Sequence, residues 1–227
     1  MSAPVKSPWR PLLWLLAGVA AIALAWPFDT RVDNALDVTP HVNHLYKLAW
    51  VCSKLGEGWV TAVFGIVGAA IFLAVNRPVS AAKIFFVALA SEFTGLAALI
   101  LRVFTGRTRP LNHDVPQGFY GVWHDGHWLI GQFKFASFPS GHAATAVGFA
   151  AAAWLVHRGW GAVAAGYALA VMWSRLALQC HHLSDVVAST VLSIPLALLL
   201  KPLLLPTLEF HFGNLHRALR QRPDALR

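Results

Sequence analysis

The sequence is short of charge. Only 12% of its residues are Asp, Glu, Lys or Arg, about half the ~25% usual in soluble domains. Its two cysteines exclude a disulfide scaffold and a four-cysteine zinc module. It shows no repeat and no low-complexity segment, which excludes fibrous and disordered chains. What is present instead is apolar. Hydrophobic residues make up 57% of the 227, which points to a bilayer before it points to water, in a single domain over 1–227. The net charge of +8 is therefore a matter of membrane topology, and no nucleic-acid partner is expected.

Six apolar stretches approach the roughly 20 residues that a helix needs to cross a hydrocarbon core of about 30 Å. They are Pro11 to Phe28, Gly58 to Asn76, Ile84 to Leu101, Pro139 to Val156, Gly159 to Cys180 and His181 to Leu200. The pattern predicts an all-α integral membrane protein, a bundle of six transmembrane helices. Charge inside these stretches is confined to Glu92, Arg175 and Asp185. Their glycines and alanines permit close helix packing in lipid. With the N-terminus in the cytoplasm, the inner segments carry ten Lys and Arg against two acids. The outer segments carry eight against seven. This is the positive-inside bias. It puts both termini in the cytoplasm and makes 209–227 a basic tail, either a short helix or a frayed end. The first stretch, with Lys6 and Arg10 before it and Ala23-Leu24-Ala25 near its end, also reads as a secretory leader. Either reading leaves the next loop outside.

From Asp29 to Glu57 the chain does not span. Thr39-Pro40 has the form of a helix start, and Val38, Val42, Leu45, Ala49 and Cys52 follow at helical spacing. Two readings stay open: a helix lying on the outer interface, or an ordinary helix packed on the bundle.

Three clusters break the apolar pattern, and the topology brings all of them to the outer face. Arg102 is followed after six residues by Arg109-Pro110. Pro139-Ser140-Gly141-His142 opens the fourth stretch. Ser174-Arg175 is followed after five residues by His181, and after three more by Asp185. Charged and imidazole groups at membrane depth are costly and default to a functional reading. Guanidinium forks bind phosphate oxygens in bidentate fashion. Ser140-Gly141 at a helix N-terminus offers a hydroxyl and backbone N–H groups to an anion. His181 and Asp185 are four apart, hence on one helical face, so the carboxylate can hold the imidazole in one tautomer and leave the other nitrogen as nucleophile. His142 is a second imidazole for acid–base work. Together these groups describe phosphoryl transfer through a phosphohistidine.

The three clusters resemble the signature of the type 2 phosphatidic acid phosphatase superfamily of membrane lipid phosphatases. The second and third blocks match it completely. In the first, Arg102 stands where lysine is usual. The resemblance implies His181 as nucleophile and Asp185 as its orienting partner. It implies that His142 protonates the departing lipid oxygen and then activates water. Arg102, Arg109, Arg175, Ser140 and Gly141 would hold the phosphoryl group. It implies no metal and no cofactor. The soluble haloperoxidase branch of the same superfamily is disfavoured by six spans. The expected partner is a lipid phosphate in the bilayer of a bacterial inner membrane, with the site facing the periplasm. Undecaprenyl diphosphate leads the substrates. Lipid A 1-phosphate, phosphatidylglycerol phosphate and transfer to a second lipid are the rivals, and the resemblance does not fix an oligomeric state.

Other residues carry weaker signals. His113, His124 and His127 in the 105–138 loop are ordinary metal-ligand types without diagnostic spacing. A lid, a headgroup-recognition loop and a plain solvated loop are further readings of that segment. Glu92 suits a hydrogen bond within the bundle, and Cys52 and Cys180 suit free buried thiols. A transporter with an anion site would need a charged path, and only Glu92 lies deep. A catalytically dead lipid-binding member is disfavoured by the complete acid–base set.

Overall fold

The computed structural model describes residues 10–39 and 44–221. The described residues form eight α-helices. They are α1 (Arg10–Ala25), α2 (Asp29–Leu36), α3 (His44–Leu55), α4 (Gly58–Ala74), α5 (Pro78–Thr105), α6 (Gly141–Val156), α7 (Arg158–Ala177) and α8 (Leu183–Arg220). A 3-10 turn over Trp26–Phe28 joins α1 to α2. A small hairpin, β1 (Trp123–His124) with β2 (His127–Trp128), sits in the long loop between α5 and α6.

Helix α5 is central and packs on α4, α6 and α8, while α7 packs on α6 and α1 leans on α8. Small residues make these approaches close. A Cβ on Gly148 would sit 2.0 Å from Thr94 Oγ1, and one on Gly65 would sit 2.1 Å from Ala88 Cβ. Hydroxyls between the helices bond to the partner's backbone: Thr94 Oγ1 donates to Ala144 O at 2.9 Å and Ser91 Oγ to Thr145 O at 2.9 Å. The core around Phe86, Val87, Ala152 and Leu200 is buried. Leu13, Phe64, Ile66, Leu169 and Leu199 point outward, as a lipid-facing surface requires.

All six apolar stretches of the sequence are helices, α1, α4, α5, α6, α7 and the first half of α8. Among the described residues three helical stretches are long and apolar enough to cross a membrane: Pro11–Leu36, which runs from α1 through the 3-10 turn into α2, Pro78–Thr105 and Leu183–Arg220. A fourth crossing arises if α3 and α4, bent by 58° at their break, count as one span. With 16 residues, α6 is only about 24 Å long at 1.5 Å per residue, short of a full core. The basic tail is not a separate helix: α8 continues unbroken through 209–220, across Pro195, Pro202 and Pro206. The helix start expected at Thr39-Pro40, with His41 and Val42, falls on 40–43 and lies outside the described residues. Farther along, α3 meets α7 through buried Ala49 and Ser53 and turns Leu45, Leu48 and Trp50 outward. It therefore has both a bundle face and an exposed apolar face. Cys52 and Cys180 are free thiols, half-buried rather than buried.

Candidate active site

Each cluster is held at a helix end. Helix α5 stops at Gly106, whose φ of +57° suits glycine. A Cβ there would lie 2.0 Å from Gly121 O. This turn throws Arg107-Thr108-Arg109 across the end of the bundle where α5 stops and α6 and α8 begin. Helix α6 starts at Gly141 with Ser140 as its cap, the Ser140 hydroxyl accepting from Ala143 N at 3.4 Å. The α7–α8 turn passes through Gln179 at φ +53°. His181 lies in this turn, and α8 begins two residues later.

That last placement corrects one step of the sequence reading. His181 and Asp185 are not on one helical face, because His181 precedes the helix. They meet because Asp185, in the first turn of α8, folds back over the turn. Its Oδ2 accepts from His182 N at 2.8 Å and from Ser137 Oγ at 2.5 Å. His181 Nδ1 is 2.7 Å from Ser137 O and 3.5 Å from Asp185 Oδ2. A carbonyl can only accept, so in the neutral imidazole Nδ1 carries the proton and Nε2 keeps its lone pair. His181 is fully buried, and its Nε2 has no partner.

Arg109 is clamped by the loop. Its Nε donates to Phe133 O at 2.8 Å and its Nη2 to Ala136 O at 2.9 Å, while the Phe133 ring lies 3.7 Å from the guanidinium carbon. Its Nη1 is buried and unpartnered. Burial lowers this guanidinium to about 10, which leaves it charged at neutral pH. Arg175 donates through Nη1 to Ser53 Oγ of α3, and its Nε is buried and unpartnered. Arg102 lies beside the start of α6, its Nη1 3.6 Å from where a Cβ on Gly141 would stand. The three guanidiniums are close enough for their charges to act on one another and on His142. His142 is in the first turn of α6 beside the α3–α4 break, its Cδ2 3.4 Å from the Cβ position of Gly56. The structure thus brings Arg102, Arg109, Ser140, Gly141, His142, Arg175, His181 and Asp185 to one end of the bundle.

The 106–140 loop is tied to this end of the bundle by backbone hydrogen bonds, although much of it is exposed. Thr108 N donates to Gly118 O, Tyr120 N to Gly106 O, and Arg109 N to Lys134 O, each at 3.1 Å. Phe119 stacks on Trp26 and meets Phe138 edge-on. The hairpin turns on Asp125-Gly126, both at positive φ, an Asp-Gly signal that was present in the sequence. Asp114 pairs with Lys134 at 2.7 Å, which holds its carboxyl below the usual range; so exposed a pair stabilises little. The loop histidines do not form a metal centre: among the described residues no three of His, Cys, Asp and Glu are grouped to hold a metal ion. Glu92 accepts from Thr61 Oγ1 at 2.7 Å, a bond within the bundle.

Several residues around the site drew no attention in the sequence. Arg107, 3% exposed, donates to Asp185 Oδ1, and to Asp29 Oδ2 at 2.7 Å. Asp29 also accepts from Ser184 N at 2.8 Å. His182 Nδ1 is 2.6 Å from Asp33 Oδ2. Asp29 and Asp33, one helical turn apart on α2, therefore grip the segment that carries His181. The available signal was two acids at the end of an apolar run, facing an Arg-Thr-Arg on the same side of the membrane.

Residues 80–206 match the sequence profile of the PAP2 superfamily. Two solved structures resemble most of the chain. One is described as the first transmembrane PAP2 type phosphatidylglycerolphosphate phosphatase from Bacillus subtilis. It is 20% identical, with a TM-score of 0.60 over 86% of this chain and 96% of that one. The other, Aquifex aeolicus LpxE, is 21% identical, with a TM-score of 0.55 over 76% of this chain and 94% of that one. At these identities the likeness carries the fold. No curated protein sequence matches the chain.

Proposed function

The chain belongs to the PAP2 superfamily, and from that premise we propose that it is a lipid phosphatase working through a phosphohistidine on His181. The observation that carries this reading is the tautomer. The Ser137 carbonyl claims the Nδ1 proton, and the lone pair on Nε2 is buried without a partner. Arg109 Nη1 and Arg175 Nε, also buried and unpartnered, supply donors to the phosphoryl oxygens, with Arg102 and the Ser140–Gly141 helix start completing the cradle. His181 Nε2 attacks phosphorus, and the bond from phosphorus to the lipid oxygen breaks as His142 gives that oxygen a proton. Water then attacks the phosphohistidine, His142 takes the proton, and the P–N bond breaks to release phosphate. Fixed positive charge aimed at the equatorial oxygens supplies the main stabilisation. No metal or cofactor enters this scheme.

An apolar cavity supports a lipid leaving group. It has a volume of about 560 Å³ and lies between α4, α5, α6 and α7, lined by residues such as Phe64, Val87, Phe149, Val163 and Tyr167. Leu55 and Tyr167 also line it, joined by the bond from Tyr167 Oη to Leu55 O at 2.9 Å. Leu55 is next to Gly56, where a Cβ would stand 3.4 Å from His142 Cδ2. An acyl or prenyl chain in this cavity would therefore lie near the proposed acid.

We read the bundle as six spans with both termini cytoplasmic and the site facing the periplasm of an inner membrane, on the Lys and Arg bias of the loops. Undecaprenyl diphosphate is the leading substrate. Phosphatidylglycerol phosphate, lipid A 1-phosphate and transfer to an acceptor lipid are the alternatives, and a fold likeness near 20% identity does not rank them. The test is phosphate release by the purified full chain from a panel of polyprenyl, glycero- and lipid A phosphates, with and without chelator. Release from one lipid class, unaffected by chelator, is expected. No release from any of them, or activity restored only by added metal, overturns the reading.

A further inference from the structure

Arg107 and Asp29 are outside the proposed chemistry, and Asp29 is also outside the matched 80–206 segment. Both are buried, and both are tied to the residues that aim His181. The Arg107 guanidinium carbon stands over the Trp26 ring, 4.3 Å from its centre. One end of its fork bonds Asp185 Oδ1 and, at 2.8 Å, Ser184 Oγ. The other bonds Asp29 Oδ2 at 2.7 Å. Asp29 in turn accepts from Ser184 N and Oγ, at 2.8 and 2.6 Å. The arrangement is a closed ring: Asp29, Arg107, and the first turn of α8.

The ring determines how the Asp185 carboxylate is turned. With Oδ1 taken by Arg107, Oδ2 is the oxygen that faces Ser137 Oγ, His182 N and His181 Nδ1. A carboxylate so buried stays ionised only where a cation and donors meet it. The Arg107 backbone adds a second route, since its carbonyl accepts from Ser137 N at 3.0 Å and the Ser137 carbonyl holds His181. A planar fork can span two carboxylates, whereas an ammonium is a single point charge.

We infer that Arg107, anchored by Asp29 at the start of α2, is a positioning residue that acts through Asp185 to aim His181 Nε2 at phosphorus. It touches no reacting atom. Helix α2 is then part of the catalytic apparatus and not only a connection between α1 and α3. The inference rests on the phosphohistidine reading above.

The experiment uses the full chain in detergent, with dioctanoyl phosphatidic acid radiolabelled in its phosphate as the probe and rapid acid-avoiding quench to trap phosphohistidine. Two quantities are read: the rate of labelling per folded molecule and the fraction of folded, monodisperse protein on size exclusion. Inhibition by inorganic phosphate is read separately. For Arg107→Lys the expected result is an unchanged folded fraction and a labelling rate lowered about 100-fold, the cost of misplacing a reacting group by roughly 1 Å. Phosphate inhibition should stay within about twofold, because the cradle is intact. Asp29→Asn, which keeps size and removes only the anchor charge, should lower the rate about 10-fold, the loss of one charged hydrogen bond. A residue that merely held the fold would lower the folded fraction and leave the rate per folded molecule normal. That outcome, or normal rates in both variants, overturns the inference. If Arg107→Lys does not fold, Asp29→Asn decides by the same two readings. A wild type that hydrolyses the probe but traps no phosphate overturns the phosphohistidine reading, and the inference with it. A labelled wild type beside normal variants overturns the inference alone.

Discussion

The carbonyl oxygen of Ser137 stands 2.7 Å from His181 Nδ1, nearer than the Asp185 carboxylate at 3.5 Å. The tautomer of the proposed nucleophile is therefore held by main chain, which no side-chain substitution removes. Ser137→Ala should keep the tautomer and lose only the hydroxyl that steadies Asp185, lowering the rate about 10-fold. Asp185→Asn loses the pair with Arg107 as well and should fall further. His181→Ala should trap no phosphate. Rapid-quench labelling of the three variants checks the order, and a Ser137→Ala variant worse than Asp185→Asn contradicts it.

His142 is proposed only to move a proton. His142→Ala should lose on the order of 10²–10⁴-fold on a lipid phosphate, as general-acid deletions do. With nitrophenyl phosphate, whose leaving group needs no proton, it should recover in part while His181→Ala does not. Initial rates on the two substrate types measure this, and equal rescue of both variants would reverse the assignment.

The three arginines differ in how they are held. Arg109 spends two donors on backbone carbonyls and Arg175 one on Ser53, so each needs the fork both to be positioned and to bind. Among the described residues none clamps the Arg102 side chain in this way, and it stands where lysine is usual. Arg102→Lys should therefore cost less than about 10-fold in kcat/KM, and Arg109→Lys and Arg175→Lys about 100-fold, since each charged hydrogen bond lost costs roughly 1.5–3 kcal/mol. Steady-state kinetics of the set would expose equal losses if the ranking is wrong.

Val163 lines the apolar cavity and is 79% exposed, so it can be enlarged without disturbing the core. Val163→Trp should raise KM for a long-chain lipid phosphate about 10-fold, from occupied apolar volume, and leave nitrophenyl phosphate unaffected. A matched change on both substrates would place the tail elsewhere.

Gly148 on α6 faces Thr94 on α5 with no room for a side chain. Gly148→Ala would put a Cβ 2.0 Å from Thr94 Oγ1 and break the bond from that hydroxyl to Ala144 O. Overpacking of this kind costs typically 1–3 kcal/mol. Thermal unfolding in detergent should show a lower midpoint, and Thr94→Ala in the same background should recover part of it by removing the clashing atom.

Much of this protein was legible in the chain itself. Low charge and long apolar runs specify helices that must satisfy their own backbone, because lipid offers no hydrogen bonds. Pro139-Ser140-Gly141-His142 specifies a helix start at which a hydroxyl and an imidazole emerge together. The arginines and His181 were legible because polar groups at the end of an apolar run are costly without a use. The number of crossings was less so: α6 is short and α3–α4 is bent, and neither property changes an apolar count.

What only the tertiary structure decided is which groups meet. Asp29 and Arg107 are 78 residues apart, Asp33 and His182 are 149 apart, and Ser53 and Arg175 are 122 apart. Their pairing depends on how α2 packs on α7 and α8 and how α3 packs on α7. Even the His181–Asp185 pair, four apart, is made by a turn and a folded-back carboxylate instead of a helical face. The physical reason is that periodicity and charge report what a residue must do with solvent. The partner that satisfies a buried charge is selected by distance in space, and that is a property of the packed bundle alone.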